Sequence, residues 1–246
     1  MGIHGLFKFI QRHEQHVYIP TCIRGKTVAI DIFTFLHQSK GNIDQFMNLL
    51  TPYIENAASI VAVFDGSPSE QRSTLLLPAS SRRACIHQSI RDIQEALANP
   101  FTRLSNSDRF FLNSYIKGLE QQAWTPSPQY VWKAHDMLIS KGIMCHIVEK
   151  GEEADSYLAT CNADIIVSND SDLLALNVKR LLRPNGTYYE MEALLAGLQF
   201  TEEDWLIFIR LCRTMKQVDP EFAFTVMKLY KGDTDYIYEK YEDIFQ

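Results

Sequence analysis

The sequence predicts an α/β protein with a doubly wound, mostly parallel sheet and flanking helices. Four short apolar runs, at residues 27–30, 60–64, 143–148 and 164–167, are typical of buried parallel strands. Helical patterns separate these runs, and strands that alternate with helices indicate parallel crossovers. With 246 residues and 46% hydrophobic content, the chain is long enough to bury a sizeable core as a single domain.

The helices are placed by their apolar spacing and by the residues at their ends. Such patterns cover residues 33–36, 43–54, 129–141, 152–161, 202–213 and 221–230. Gly142 is the expected stop of the third pattern. The fourth begins with acidic residues, which suit a helix N-terminus.

Composition indicates a soluble intracellular protein of the nucleus or cytoplasm. No apolar run reaches the roughly 18 residues of a membrane span, and the N-terminus lacks the regions of a secretory signal. The five cysteines form no C-x-x-C pair, which argues against a zinc site or a disulfide framework. The net charge of -6 argues only weakly against a nucleic-acid partner, because phosphate binding depends on where the basic residues lie.

Acidic side chains follow the predicted strands at one edge of the sheet. In open α/β sheets, ligands collect beyond the carboxyl ends of the strands, where Asp31, Asp65 and Asp170 are expected. The acids at the start of the fourth helix reach the same edge. The complete candidate set is Asp31, Asp65, Glu153, Asp155, Asp170 and Asp172.

Carboxylates gathered in this way favour a site for divalent metal ions. Closely spaced carboxylates repel one another, and Mg2+ accepts oxygen ligands while keeping waters that substrate phosphates replace. The alternative is that each Asp is a helix cap or a turn residue, and Asp65-Gly66 is an ordinary turn dipeptide. Acidic pairs two residues apart, in two successive elements, favour the metal site.

These segments resemble the signature blocks of the flap endonuclease and XPG-like nuclease superfamily. The similar segments are residues 1–6 (MGIHGL), 28–31 (VAID), 63–68 (VFDGSP), 153–155 (EAD) and 168–172 (SNDSD), in the family's order. The resemblance covers most of residues 1–183. It implies a PIN-like core that cleaves phosphodiesters with two Mg2+ ions, for which Mn2+ is a substitute. By motif position, the resemblance implies that the first ion is bound by Asp31, Asp65, Glu153 and Asp155, and that the second is bound by Asp170 and Asp172.

The resemblance also divides the single nuclease domain, residues 1–246, into four parts. The N-terminal core is 1–66, a helical arch or clamp insertion is 67–128, the internal core is 129–195, and C-terminal helices occupy 196–246. The last part is expected to be a shortened helix-two-turn-helix module, because the stretch 211–220 lacks the family's Gly-Ser-Asp-Tyr block and Gly-rich turn. Asp219 is either a replacement ligand there or a turn or cap residue.

Contacts to nucleic acid are implied at the arch and near the N-terminus. The arch carries Arg72, Arg82, Arg83 and Arg91, and the Arg82-Arg83 pair matches paired basic residues of the family. These side chains either grip phosphates or form a solvated helix face. Gly2 either lies near the active site, as the family implies, or simply begins a helix.

Aromatic side chains are further candidates for substrate contact. His37 stands six residues after Asp31, where the family has a base-stacking Tyr, and it either stacks or packs. The poorly patterned segment 99–128 carries Phe101, Phe110, Phe111, Tyr115 and Trp124. We expect most of them to pack inside the insertion, with base stacking as the alternative.

Three functions remain open at the level of sequence. A reduced and divergent member of the family, of the kind found in large DNA viruses, is expected to be a structure-specific nuclease for 5′ flaps or ends of DNA. The first alternative is an RNA endonuclease that cuts messenger RNA, as viral host-shutoff nucleases do. The second is an inactive binding scaffold, which the full set of carboxylates disfavours. There is no recognisable sliding-clamp motif after Tyr241.

Overall fold

The computed structural model describes residues 3, 5–66, 70–99, 104–214, 219–229 and 233. Its strands are β1 (Gln15–His16), β2 (Thr27–Asp31), β3 (Ser59–Phe64), β4 (Met144–Ile147), β5 (Ile165–Val167), β6 (Arg180–Leu182) and β7 (Thr187–Glu190). Its helices are α1 (Leu6–Phe9), α2 (Ile19–Ile23), α3 (Ile32–Ser39), α4 (Ile43–Asn56), α5 (Glu70–Ala98), α6 (Asn106–Ala123), α7 (Pro128–Ser140), α8 (Ala154–Thr160), α9 (Asp172–Ala175), α10 (Met191–Leu198), α11 (Glu202–Thr214) and α12 (Pro220–Leu229). None of the helices among these residues is long and apolar enough to cross a membrane.

The strands form one mostly parallel sheet in the order β1-β7-β6-β5-β2-β3-β4. Strands β2 to β6 pair in parallel, whereas β7 pairs antiparallel with both β6 and β1. The four apolar runs correspond to β2, β3, β4 and β5, which confirms the predicted doubly wound sheet. The remaining strands were not predicted, although the Asn185-Gly186 turn between β6 and β7, with Gly186 at φ +85°, is a recognisable hairpin signal.

Alternate residues of the central strands pack into separate layers on the two faces of the sheet. On β2, Ala29 belongs to one apolar cluster, while Val28 and Ile30 belong to the other. The first layer is built mainly by α10, α11 and α12 around Trp205, and the second by α3, α4 and α7. Side chains of a strand alternate between the two faces of the sheet. Because helices cover both faces here, both sets of side chains are apolar, and each strand appears in the sequence as a continuous apolar run.

Helices α5 and α6 form a hairpin between β3 and α7. The hairpin has its own apolar cluster, made by Ile90, Ile116 and Leu119 with partly buried neighbours on α5. Helix α6 was not predicted by the sequence pattern, although Ser105 and Asp108 form a capping box at its start. Its amphipathic pattern was obscured because large aromatic side chains lie on its outer side.

The aromatic side chains of this hairpin correct one expectation. Phe110, Phe111 and Tyr115 are 76%, 67% and 51% exposed, so the expectation that they pack inside the insertion is wrong. Trp124 does pack, edge-on against Tyr130 at 6.3 Å between ring centroids. Phe101 lies outside the described residues.

Candidate active site

The carboxyl ends of the central strands bring the candidate acids to one edge of the sheet. Asp31 is the last residue of β2 and pairs in register with Val63 of β3, just before Asp65. Ile30 pairs with Val167, the last residue of β5. The neighbouring strands therefore end together, and the side chains that follow them converge.

A cavity of about 810 Å³ lies at this edge, and we call it the acidic cavity. The carboxylates that line it are Asp31, Asp65, Glu153, Asp155 and Asp170. Glu153 is the N-cap residue of α8 and Asp155 lies in its first turn. The structure therefore brings five of the six predicted acids to one space. Asp172, at the start of α9, is not among its lining residues.

Asp31 is a buried carboxylate held by three hydrogen bonds. Oδ1 accepts from the backbone N–H of Phe33 at 3.0 Å, and Oδ2 accepts from the hydroxyls of Thr34 and Ser168, each at 2.7 Å. Burial raises the pKa of Asp31, while the hydroxyl hydrogen bonds oppose this shift. The contacts also fix the orientation of the carboxylate at the end of β2.

Asp65 and Asp170 each accept a backbone hydrogen bond at the start of a helix and also line the cavity. Asp65 Oδ1 accepts from the Ala154 N–H at the start of α8, at 3.0 Å. Asp170 Oδ1 accepts from the Asp172 N–H at 2.9 Å. Neither residue is the N-cap residue of the helix that it contacts, and one hydrogen bond uses only part of a carboxylate's capacity to accept. Both residues line the cavity in addition.

The raised pKa of Asp155 reflects how close the acids lie to one another. Burial, as the largest cause, and the negative charges of Asp170, Asp31, Asp65 and Asp172 together raise the pKa of Asp155 to about 7. A carboxyl group with such a pKa retains a proton at near-neutral pH unless a cation offsets the surrounding charge. Asp172 therefore belongs electrostatically to the cluster, although it does not line the cavity.

Asp172 is engaged by a cation that the sequence reasoning missed. Its Oδ1 accepts from Arg213 Nη2 at 3.1 Å, across the junction of α9 and α11. Burial raises the pKa of Asp172, whereas the hydrogen bond and charge of Arg213 lower it. No sequence signal identifies Arg213, because its role depends on how α11 packs against α9.

The donor set of the acidic cavity suits Mg2+ or Mn2+. All five lining acids offer hard oxygen ligands, which these ions prefer. Across the described ranges, no group of three or more His, Cys, Asp or Glu side chains is placed so that it could hold a metal ion directly. Mg2+ usually retains several waters, through which carboxylates can reach it, so it does not require a ready-made group of direct ligands. The crowded charge around Asp155 is a direct reason for a cation to bind.

The N-terminal segment and His37 border the same cavity. Ile3 and Phe7 line it, and the Ile3 carbonyl accepts from Ser171 Oγ at 3.4 Å. Gly2 lies outside the described residues. His37 is exposed at the rim and packs edge-on against Trp124, with 5.6 Å between ring centroids. The structure thus shows His37 packing while it also faces the cavity.

Of the arginines of the arch, Arg83 is placed near the cavity. Burial lowers the pKa of His37, the negative charge of Asp31 raises it, and the charge of Arg83 lowers it. Arg83 on α5 therefore lies within electrostatic reach of the rim. Arg91 instead donates to Gln88 on its own helix. The side chains of Arg72 and Arg82 lie outside the described part.

Asp219 sits at a helix start, away from the lining of the acidic cavity. Its Oδ1 accepts from the Glu221 N–H at 3.1 Å, at the beginning of α12. This is the cap geometry that was the alternative for Asp219 in the sequence. The side chain is exposed.

Sequence comparison finds distant relatives over almost the whole chain, while no family model matches it. Exonuclease 1 of Danio rerio is 25% identical over 264 aligned positions, which cover 98% of this chain and 29% of that protein. Exonuclease 1 of Xenopus laevis is 25% identical over 259 positions, covering 96% and 31%. The chain thus spans about three tenths of the length of these curated relatives.

Solved structures share the fold at low sequence identity. The catalytic core of Rad2 in complex with DNA substrate gives a TM-score of 0.62 with 14% identity, covering 98% of this chain and 71% of that one. Flap endonuclease-1 from Methanococcus jannaschii gives 0.59 with 17% identity, covering 99% and 83%. Human GEN1 in complex with Holliday junction DNA gives 0.58 with 15% identity, covering 97% and 59%.

Proposed function

We propose that this chain is a divalent-metal-dependent nuclease acting on branched or 5′-ended DNA, because it has the PIN-like fold of the flap endonuclease and XPG-like nucleases. The observation that supports this most directly is the acidic cavity, where five carboxylates from separate elements line one space at the carboxyl ends of the strands. Such a constellation has little structural purpose of its own, since its members repel one another.

The residues would divide their work according to their positions. Asp31, Asp65, Glu153 and Asp155 would hold one Mg2+ ion, and Asp170 with Asp172 would reach a second. When bound, such ions activate water, offset the charge of the phosphate and stabilise the departing oxygen. Thr34 and Ser168 keep the Asp31 carboxylate fixed in its orientation.

The hairpin of α5 and α6 is the proposed contact surface for the nucleic-acid strand. Arg83 lies near the rim of the acidic cavity and would attract the phosphate backbone, with Arg72 and Arg82 as further candidates. On α6, the exposed rings of Phe111 and Tyr115 lie parallel, with 5° between their planes. Exposed aromatic surface of this kind suits stacking on the bases of a single strand.

The comparisons favour DNA as the substrate over messenger RNA. The Rad2 and GEN1 structures that share the fold contain DNA substrate and Holliday junction DNA. Their presence supports a DNA nuclease for this chain, while the charge pattern at Asp155 favours a metal enzyme over an inactive scaffold.

The first prediction tests the acidic cavity through Asp65→Asn. Asparagine keeps a carbonyl oxygen for the Ala154 N–H but loses the charge, so the fold should survive. We expect Mg2+-dependent cleavage of a 5′ flap DNA to fall by about 100-fold or more. The assay compares flap DNA, single-stranded DNA and a structured RNA of matched length, with far-UV circular dichroism as the folding check.

Asp164→Asn is the matched control for this substitution. Asp164 Oδ2 accepts from the Thr27 N–H at 2.8 Å, at the opposite edge of the sheet. This control should cleave like the wild type. Wild-type turnover in Asp65→Asn would overturn the assignment, and faster cleavage of RNA than of either DNA would overturn the DNA substrate.

A further inference from the structure

We infer that Arg213 is a built-in counter-cation for Asp172, which weakens binding of a second divalent ion at the acidic cavity. The inference rests on the proposed function and deepens it. The inference is that the two metal sites bind their ions with unequal affinity, and that the weaker site lies on the side of Asp170 and Asp172. Arg213 is thus a positioning residue for the metal centre rather than a catalytic residue.

The contact itself is specific and direct. Arg213 Nη2 lies 3.1 Å from Asp172 Oδ1, and the Asp172 side chain is only 17% exposed. The Asp172 backbone N–H in turn donates to Asp170 Oδ1, which lines the cavity. The guanidinium therefore occupies one oxygen of the carboxylate that stands next to the cavity. An ion that needs this oxygen must share it with Arg213 or displace it.

The packing of helix α11 against α9 positions Arg213 beside Asp172. Trp205, which is fully buried, donates from its indole N–H to the Leu174 carbonyl of α9 at 3.0 Å. Leu211 is buried two residues before Arg213. Because both helices are fixed by these contacts, the meeting of Arg213 and Asp172 follows from the fold and is not a chance encounter of surface side chains.

The charge balance explains why this contact should affect metal affinity. The cavity concentrates negative charge, and a divalent ion binds there largely because it offsets that charge. Arg213 already supplies one positive charge on the side of Asp172. It therefore lowers the remaining attraction for an ion on that side and repels the ion directly. The Arg213 side chain is 47% exposed, so the contact is displaceable and does not block the site.

The test measures Mn2+ binding to the metal-free full chain by isothermal titration calorimetry, with electron paramagnetic resonance to count bound ions. We expect one stronger and one weaker site in the wild type. In Arg213→Met the weaker site should tighten by about tenfold, while the stronger site changes by less than about threefold. Arg213→Lys, which keeps the charge, should stay close to the wild type.

Arg180→Met is the matched control, since Arg180 pairs with Glu190 at 3.1 Å in a similarly half-exposed ion pair at the other edge of the sheet. It should leave both Mn2+ affinities unchanged. A purely structural role for Arg213 would lower the thermal midpoint and leave Mn2+ binding as in the wild type, which would overturn the inference. Arg213→Gln serves as a second neutral variant if the Met variant does not fold.

The two proposals fail in different ways. Unchanged Mn2+ affinities in the Arg213 variants, together with metal-dependent cleavage by the wild type, would overturn only the role of Arg213. Absence of Mn2+ binding in the wild type and in the Arg213 variants would overturn the metal centre as well.

Discussion

Asp31 illustrates how one side chain serves both the fold and the site. Its three hydrogen bonds join the end of β2 to the start of α3 and to Ser168 after β5. A carboxylate so constrained presents its remaining lone pairs in a fixed direction. Capping and metal binding are therefore not competing explanations for an acid at the end of a strand, because the cap fixes the orientation that a ligand needs.

A prediction at the residue scale concerns Asp155→Asn. Removing this charge relieves repulsion in the acidic cavity, so the metal-free protein should gain about 1 kcal/mol and its thermal midpoint should rise by about 2–4 °C. The increase in midpoint that Mg2+ gives the wild type should largely disappear, because the variant binds the ion less well. Differential scanning calorimetry in EDTA and in Mg2+ measures both effects.

A variant that responds to Mg2+ as strongly as the wild type would contradict this prediction. Asp204→Asn provides the comparison, since Asp204 accepts hydrogen bonds from Thr201 at the start of α11 and carries no metal role. Its stability should fall slightly through loss of charge in the cap, and its response to Mg2+ should be unchanged.

The sequence identified the acids but not Arg213, and the reason is physical. Asp31, Asp65 and Asp170 follow apolar strands, so the rule for parallel sheets is enough to bring them together. Arg213 lies on a helix distant in sequence, and its contact depends on the rotation of α11 about its axis. Amphipathic spacing predicts which face of a helix is buried, but not which residue meets a given residue of another element.

At the scale of elements, Gly66 controls the junction between β3 and the hairpin. A Cβ atom there would lie 2.4 Å from the Val148 carbonyl oxygen and 2.6 Å from that of Glu149. Both neighbours are backbone atoms and cannot move independently of the chain after β4. The glycine of the Asp65-Gly66 dipeptide is thus required by the close approach of two segments.

The corresponding prediction is that Gly66→Ala destabilises the protein by about 1–3 kcal/mol, the usual effect of forcing an extra atom into packed structure. Asp65 should also shift, so cleavage of flap DNA should fall. Urea unfolding and the flap assay measure the two effects. Gly118→Ala is the control, because Gly118 lies in α6 with no heavy atom within 4 Å of its added Cβ. A Gly66 variant as stable as this control would contradict the close approach.

Secondary-structure elements with a clear sequence pattern were predicted, whereas short elements and elements with an atypical pattern were missed. The strands β2 and β3 are continuous apolar runs, and the helices α4 and α7 have clear helical periodicity. The sequence pattern therefore placed these four elements correctly. The missed elements are short, like β6, or carry exposed aromatic side chains, like α6. In α6 the outward rings at Phe110 and Phe111 removed the contrast between its two faces on which periodicity depends.

At the scale of the whole molecule, the distribution of charge matters more than its sum. The chain carries a net charge of -6, yet Arg83 stands near the rim of the acidic cavity. In the proposed function, the charge of Arg83 near the rim would attract the phosphate backbone of a nucleic-acid strand, and divalent ions would offset the repulsion by the carboxylates. Net charge alone is therefore a weak guide to whether a protein binds nucleic acid.

We predict that Arg83→Ala weakens binding of flap DNA and reduces the slope of log Kd against log salt by roughly one, because one phosphate contact is lost. Fluorescence anisotropy in Ca2+ at several salt concentrations measures the slope. Arg24→Ala, at the opposite edge of the sheet beside Ala57, should leave the slope unchanged. An identical slope in the Arg83 variant would restore the solvated helix face as the explanation.

The separate apolar cluster of the hairpin has a consequence for cooperativity. Because Ile90, Ile116 and Leu119 form an apolar cluster separate from the two layers of the sheet, we expect α5 and α6 to open as a unit without exposing the main core. Local melting of this unit leaves the strand ends, and hence the acids, in register. In the proposed function, warming would therefore impair the contact of the hairpin with nucleic acid at a lower temperature than it impairs ion binding.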